Sequence, residues 1–184
     1  MIPNHSLNIQ LTPIATTGYQ LFGWTPTRQI DPSAHLAAIH HATYPSFPLA
    51  EAFLTSFGGL TTRIAAAQAG ETPLYYHDTI PYIFDRNRLF EDFIPANAQH
   101  CDDEAAPGWL EHPFIKQQQR QICPIGSYDN DATILLTADG LVLLGKYYGV
   151  PGENSRKPML RLVGQTLSDG LNRLIEQATY YYYP

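Results

Sequence analysis

A chain of 184 residues, of which 44% are hydrophobic and 15% charged, is long enough to bury the core of one globular domain. Its formal net charge of −6 has the wrong sign for a protein that holds phosphates, so we expect no nucleic-acid partner and, if charge matters, a basic one. The N-terminal sequence lacks a basic region followed by a sustained apolar run, and no segment reads as a membrane span. These observations predict a soluble, cytoplasmic protein with no membrane partner.

The N-terminal part of the chain is predicted to begin irregularly and to continue into a helix. Residues 1–22 show no clear periodicity and are interpreted as an irregular lead-in. A helix is predicted over residues 33–42, where Asp31 or Ser33 can cap its start and Pro45 stops it.

A second helix is predicted in the segment "FPLAEAFLTSFGGL". Pro48 suits the first helical turn, and apolar residues recur at every fourth position: Leu49, Phe53 and Phe57. The pair Gly58 and Gly59 supplies a left-handed end to the helix. Residues 61–66 are then predicted to form a strand.

The middle of the chain carries weaker signals. The segments "IFDRNRLFEDF" and "PGWLEHPFIKQQQRQ" indicate helices, and the acidic "DDEAAPG" between them indicates an exposed loop. A structureless connection of this length would be unusual in a compact domain, so ordered elements are expected here.

A β-hairpin is predicted over residues 132–146. Two β-rich runs, 132–137 and 141–146, are joined by Ala138-Asp139-Gly140, and Asp-Gly is a strong hairpin signal because both residues tolerate a positive φ. The alternative is a calcium loop starting at Asp129, with Asp131 as a further ligand. It fails because its sixth position is Ile134 instead of glycine and its twelfth is Gly140 instead of glutamate.

The chain is predicted to close with an amphipathic helix after a polar loop over residues 149–158. Thr166 and Asp169 approximate a capping box, and Gly170 predicts a close packing contact because glycine is unfavourable within a helix. We expect the core to lie between the hairpin and its helices, with six residues buried: Phe53, Phe57, Leu135, Leu143, Leu171 and Ile175. The tyrosine-rich tail, 179–184, either extends a strand, packs over the last helix or forms a contact patch.

Metal and catalytic motifs are not found in the sequence. His35 and His40 are five residues apart, about 140° around a helix, and His100, Cys101 and His112 have no recognised ligand spacing. We therefore expect no metal, no cofactor and no catalytic residue. The two cysteines form no disulfide pattern, and Cys123 is interpreted as a core residue, with an enzyme using its thiol as the less favoured alternative.

The order of several short motifs resembles a known family. The motifs are "GWTPTRQID", "AEAFLTSFGGL", "CPIG", "ATILLTADGLVLL" and "LVGQTLSDGLNRLIE". In this order they resemble the SUKH superfamily of bacterial toxin-immunity proteins, and most closely its third family. The matching motif positions are Trp24, Gly58, Gly59, Pro124, Gly126, Gly140 and Gly164.

The resemblance implies a single α+β domain, residues 23–178, with a mixed, mainly antiparallel sheet flanked by helices. It also implies a non-catalytic protein that binds and neutralises a toxin domain encoded nearby. An acidic surface is expected to meet a basic toxin such as a nuclease or deaminase. The candidate contact residues are Asp78, Asp85, Asp102, Asp103, Glu104 and Glu111. A general protein-interaction scaffold of the same fold is the alternative, and the oligomeric state stays open.

Overall fold

A computed structural model describes residues 7–60, 109–128, 132–149 and 156–176 of the chain. The described elements are α1 (Pro13–Leu21), α2 (Ser33–His41), α3 (Pro48–Phe57), α4 (Pro113–Lys116), β1 (Ile122–Tyr128), β2 (Ala132–Thr137), β3 (Val142–Gly149), β4 (Arg156–Gly164) and α5 (Leu167–Glu176). The four strands form one sheet in the order β1-β2-β3-β4, and neighbours pair antiparallel. The predicted α+β class is confirmed.

Helix α1 corrects the prediction of an irregular lead-in over residues 1–22. Thr12 caps the helix, its side chain accepting a hydrogen bond from the Ala15 N–H at 3.2 Å, and Pro13 fills the first turn. Gly23, at φ +91°, allows the N–H of Trp24 to reach the Tyr19 carbonyl at 3.0 Å, which closes a Schellman motif. Thr12 and Gly23 therefore stabilise the two ends of a helix whose apolar pattern is weak.

Helix α2 ends in the same motif without glycine. The N–H of Tyr44 reaches the Ile39 carbonyl at 3.1 Å, and that of Thr43 reaches the His40 carbonyl at 3.0 Å. Thr43 therefore holds the left-handed position, with φ +64°. The N-cap position of α2 is Pro32, so neither Asp31 nor Ser33 caps the helix as predicted; the Asp31 carboxylate, one residue earlier, accepts the Ser33 N–H at 2.9 Å.

The predicted hairpin and closing helix are confirmed. β2 pairs with β3 through a turn in which Gly140 has φ +92°. At the start of α5, Thr166 accepts the Asp169 N–H at 3.1 Å, while the Asp169 carboxylate accepts the Gln165 N–H at 3.0 Å. The hairpin turn is tied to the segment before β1, because Arg120 pairs with Asp139.

Three elements differ from the sequence-based expectations. Residues 156–158, predicted as part of a polar loop, begin β4, because pairing with β3 outweighs their polar composition. The helix expected in "PGWLEHPFIKQQQRQ" is limited to the four residues of α4. β1 contains Pro124, and a register shift between Pro124 and Gly126 accommodates this residue, which lacks an N–H. The predicted strand over 61–66 and the tail over 179–184 lie outside the described residues.

The core joins the sheet to the helices through aromatic and aliphatic side chains. Five of the six predicted core residues are buried, whereas Ile175 is half-buried because it lies in the last turn of α5. The Phe53 and Phe57 rings stack with centroids 4.9 Å apart.

Helices α1 and α5 are fastened together. The Tyr19 hydroxyl donates to the Leu171 carbonyl at 3.0 Å, and the Thr12 N–H donates to Asn172 Oδ1 at 2.9 Å. Asn172 Nδ2 in turn donates to the Gln10 carbonyl at 3.0 Å. These three hydrogen bonds attach the N-terminal part of the described chain to α5.

Candidate interaction surface

The Gly-Trp motif and the end of α3 form one packed unit. The Trp24 ring stacks on Phe57, with centroids 5.4 Å apart and 21° between the planes. The Arg28 guanidinium donates to the Ser56 carbonyl at 2.9 Å and to the Gly58 carbonyl at 2.6 Å. These carbonyls lie at the end of the helix, where no intrahelical N–H is available to them. Trp24 and Arg28 therefore hold the end of α3 in place.

The motif glycines have structural roles of two kinds. Gly59 and Gly140 have positive φ values, +70° and +92°, as their predicted turn roles require. Gly164, at the end of β4, serves close packing instead of a turn: a β-carbon there would lie 2.9 Å from the Asp169 carbonyl carbon and closer still to the Gly170 backbone. Gly58 leaves room in the same way, since a β-carbon there would lie 2.5 Å from the Leu54 carbonyl oxygen.

Cys123, the candidate nucleophile of the enzyme alternative, is buried in β1. Its side chain has no exposed surface, and its Sγ lies 3.6 Å from the Pro124 carbonyl oxygen. Burial, followed by the negative charge of Glu51, raises the pKa of the thiol to about 12. A thiol with that pKa is protonated at neutral pH, whereas nucleophilic attack requires the thiolate.

A hydrogen-bonded chain of His40, Ser46 and Glu51 connects α2 to α3, and the sequence reasoning did not identify it. The Ser46 hydroxyl donates to Glu51 Oε1 at 3.2 Å and lies 3.0 Å from His40 Nε2. A serine hydroxyl that donates to Glu51 can receive its hydrogen bond from His40 only in the tautomer that carries the proton on Nε2. A serine nucleophile needs the opposite arrangement, with the imidazole accepting the hydroxyl hydrogen. This chain is a surface link between two helices.

The acidic residues proposed from the sequence lie mostly outside the described part of the chain. This applies to Asp78, Asp85, Asp102, Asp103 and Glu104, and also to Asp129 and Asp131 of the rejected calcium loop. Glu111 is described and exposed, and it pairs with Lys116. That pairing offsets the charge of Glu111 locally, so it contributes less to an acidic surface than an isolated carboxylate would.

The two edges of the sheet differ in their exposure. Residues 122–126 of β1 are buried, and α3 packs against this strand. On β4, by contrast, Met159 is 49% exposed and Leu162 is 48% exposed, and Arg161 between them is also exposed. Among the described residues, the other exposed large apolar side chains are Ile14 and Leu21, both in α1. Among the described residues, β4 has a strand partner on one side only, and it exposes apolar side chains.

The register shows which β4 side chains share a face. Leu160 and Leu162 lie opposite Gly145 and Leu143 of β3, respectively, whereas Met159 and Arg161 lie opposite Lys146 and Leu144. Directly opposed residues in an antiparallel pair project to the same face. One face of the edge is accordingly leucine-rich, and the other carries Met159 and Arg161.

Comparisons with protein-family models, with curated proteins and with solved structures find no match for this chain. In the described ranges, no three His, Cys, Asp or Glu side chains gather in an arrangement suited to a metal ion. None of the helices within those ranges has the length and apolar character needed to cross a membrane.

Proposed function

We propose that this chain is a non-catalytic immunity protein that binds and neutralises a toxin domain encoded by a neighbouring gene. Its motif order, which resembles the third SUKH family, motivates the proposal. The roles of the motif residues are compatible with it, since Trp24 and Arg28 hold α3 while Gly164 allows α5 to approach the sheet. These residues build a scaffold, and binding is assigned to the surface around them.

The observation that carries the proposal is the difference between the two sheet edges. Residues 122–126 of β1 are buried and α3 packs against this strand, whereas β4 exposes Met159 and Leu162. Natural proteins usually shield a sheet edge, because an edge that is not shielded can pair with another chain. A protein that acts by occupying another protein's surface needs such a contact area and no nucleophile.

The negative net charge of this protein supports the proposal that the toxin is basic. The net charge of −6 favours long-range attraction of a positively charged partner and raises its association rate. The acidic run of Asp102, Asp103 and Glu104 is the part of the sequence to which we assign this role. A neutralising complex needs tight binding, and a dissociation constant of ~1 nM corresponds to about −12 kcal/mol.

Co-expression with the product of the adjacent gene tests the proposal. We expect that product to stop growth when expressed alone, this protein to restore growth, and the two to co-purify. Co-purification with a harmless partner would instead support the general interaction scaffold. A toxic neighbour that this protein neither binds nor neutralises would overturn the proposal.

A charge-reversal experiment tests the acidic run separately. Replacing Asp102 and Asp103 with lysine should slow association with the toxin and weaken its dependence on salt concentration. The control replaces Asp129 and Asp131, two acidic residues outside the run, with lysine and changes the net charge equally. Equal association rates for the two double variants at low salt would show that the run has no specific role.

A further inference from the structure

We propose that the tyrosine-rich tail, 179–184, is the segment that covers an apolar patch on α1, beside the end of α5. The α1 patch consists of Ile14, Gly18 and Leu21 of α1 together with Ile175 of α5. The tail itself lies outside the described residues, and its sequence and the position of the residue before it support this assignment. The interaction is within one chain, so it goes beyond the proposed function and does not depend on it.

The α1 patch is one side of a helix joined to a side chain of its neighbour. Ile14, Gly18 and Leu21 are spaced by four and three residues, which places them on the same side of α1. Ile14 is 65% exposed and Leu21 is 36% exposed. A β-carbon at Gly18 would lie 3.0 Å from Cγ2 of Ile175, so the Ile175 side chain contacts α1 between the other two. The four residues therefore form a continuous apolar surface.

The chain leaves α5 next to this patch. α5 ends at Glu176, the residue after Ile175, and the Glu176 carboxylate accepts a hydrogen bond from the hydroxyl of Thr12, the N-cap of α1. An extended chain spans ~3.3 Å per residue, so residues 177–184 can reach about 26 Å. The distance along α1 from Ile14 to Leu21 is about 10 Å at 1.5 Å per residue. The tail is long enough to cover the whole patch.

The composition of the tail suits an apolar surface that is partly in contact with water. Residues 177–184 contain four consecutive tyrosines, 180–183, and no charged side chain. A tyrosine ring covers apolar surface while its hydroxyl stays in water, so no polar group has to be buried without a partner. In an extended segment, successive side chains point to opposite sides, so alternate rings can contact α1.

Tethering favours the tail over another molecule as the occupant of the patch. A segment on a short flexible connection has an effective concentration on the order of millimolar at a neighbouring site. A stable interface between two proteins usually involves about 20 residues on each side, far more than the four of the α1 patch. Weak contacts that are too few to hold a separate protein can therefore hold the tail.

Thiol labelling measures whether the tail covers the patch. The variant Ile14→Cys is made in the full chain with Cys101→Ser, and its reaction with a maleimide is compared with that of the same chain lacking residues 179–184. Cys123 has no exposed surface and adds no background reaction in the folded protein. Gln20→Cys is the matched control, because Gln20 is exposed on another side of α1.

Removal of the tail should speed labelling of Ile14→Cys at least about fivefold, because a covered thiol reacts only in the molecules whose tail is detached. Labelling of Gln20→Cys should change by less than about twofold. Equal labelling rates of Ile14→Cys with and without the tail would overturn the inference. So would an equal increase at both positions, because it would show a general loosening of α1.

Two variants of the full chain test whether the rings are responsible. Replacement of tyrosines 180–183 by serine should raise the labelling rate of Ile14→Cys to that of the shortened chain. Replacement of the same four by phenylalanine should keep the protection, because the rings remain. If the shortened chain fails to fold, as judged by circular dichroism, these two variants decide. Equal labelling of the serine and phenylalanine variants would overturn the inference.

Protein concentration separates the tail from a second copy of the chain. Protection by a tethered segment is independent of concentration, so the labelling rate of Ile14→Cys should stay constant on dilution. A rate that rises on dilution would assign the patch to contact between copies and would overturn the inference.

Discussion

Gly164, the last residue of β4, packs directly against the backbone of Gly170 in the first turn of α5. A β-carbon at Gly170 would in turn lie 2.9 Å from Cγ1 of Val142 and closer still to its Cβ and Cγ2. Three residues from β4, α5 and β3 therefore meet with no space for another heavy atom. This contact sets how closely the closing helix approaches the sheet.

Replacing Gly170 with alanine should destabilise the protein, although alanine is the better helix former. The added methyl group would overlap Val142, and overpacking of this kind costs about 1–3 kcal/mol, more than the gain of ~1 kcal/mol in helix propensity. Urea denaturation measures the net loss. Gly18→Ala is the matched control, because its β-carbon would meet only the side chain of Ile175, at 3.0 Å, which can move. If Gly170→Ala were as stable as Gly18→Ala, Gly170 would have to lie farther from Val142 than the structure indicates.

The ends of α1 and α2 predict opposite effects for a reciprocal exchange. Thr43→Gly should raise the free energy of unfolding by about 0.5–1 kcal/mol, because a β-branched residue is strained at φ +64°. Gly23→Thr should lower it by about 1–2 kcal/mol, because Gly23 occupies the equivalent position in α1. Thermal unfolding of both variants checks the pair. A loss of stability in Thr43→Gly would mean that the threonine side chain makes a contact worth more than the strain.

Arg28 should not be replaceable by lysine. Its planar guanidinium reaches the Ser56 and Gly58 carbonyls together, whereas a lysine ammonium is a single point donor. We expect Arg28→Lys to cost about 1–2 kcal/mol of stability, measured by urea denaturation. Arg173→Lys is the control, since Arg173 makes one exposed pair with Asp169 and should cost less than about 0.5 kcal/mol. Equal losses in the two variants would rule out a special role for the Arg28 contact.

The buried thiol of Cys123 predicts a loss of stability at high pH. Burial raises its pKa from 9.0 to about 12, so the folded protein holds this proton more tightly than the unfolded chain does. Its contribution is complete below pH 9 and declines as the pH rises from 9 towards 12. At pH 10 the protein should be less stable than at pH 7 by about 1 kcal/mol.

Cys123→Ala isolates this contribution. The variant lacks the titrating group, so the stability difference between wild type and variant should shrink by about 1 kcal/mol between pH 7 and pH 10. Burial also raises the pKa of Tyr19, but this effect is present in both proteins and cancels in the comparison. A difference that stays constant with pH would show that the thiol is accessible to water.

The elements that could be predicted from the sequence are those with strong local signals. Pro48 and the pair Gly58-Gly59 mark the bounds of α3, and Asp139-Gly140 marks the hairpin. Helix α1 was missed, although Thr12, Pro13 and Gly23 carry its start and stop signals, because its apolar pattern is weak. β4 could not be predicted locally, since Arg156, Lys157 and Pro158 resemble a loop until they pair with β3.

The candidate interaction surface was less accessible to sequence reasoning than the scaffold. An alternation such as Met159 to Leu162 does not indicate whether a strand lies at the centre or the edge of a sheet, because that depends on pairing between distant segments. The negative charge of the sequence directs attention to acidic residues, whereas the described part of β4 exposes the apolar Met159 and Leu162. Close packing at Gly170 was predicted, because a glycine inside a helix needs a compensating contact.

The joining of α1 to α5 has a consequence for synthesis of the chain. The Tyr19 hydroxyl donates to the carbonyl of Leu171, a residue 152 positions further along the chain. The ribosome adds Leu171 roughly 8–30 s after Tyr19 at ordinary rates of translation. A helix of nine residues has little stability alone in water, so we expect α1 not to be stably formed before α5 is synthesised. The nascent protein therefore cannot complete this part of its fold until α5 has left the ribosome.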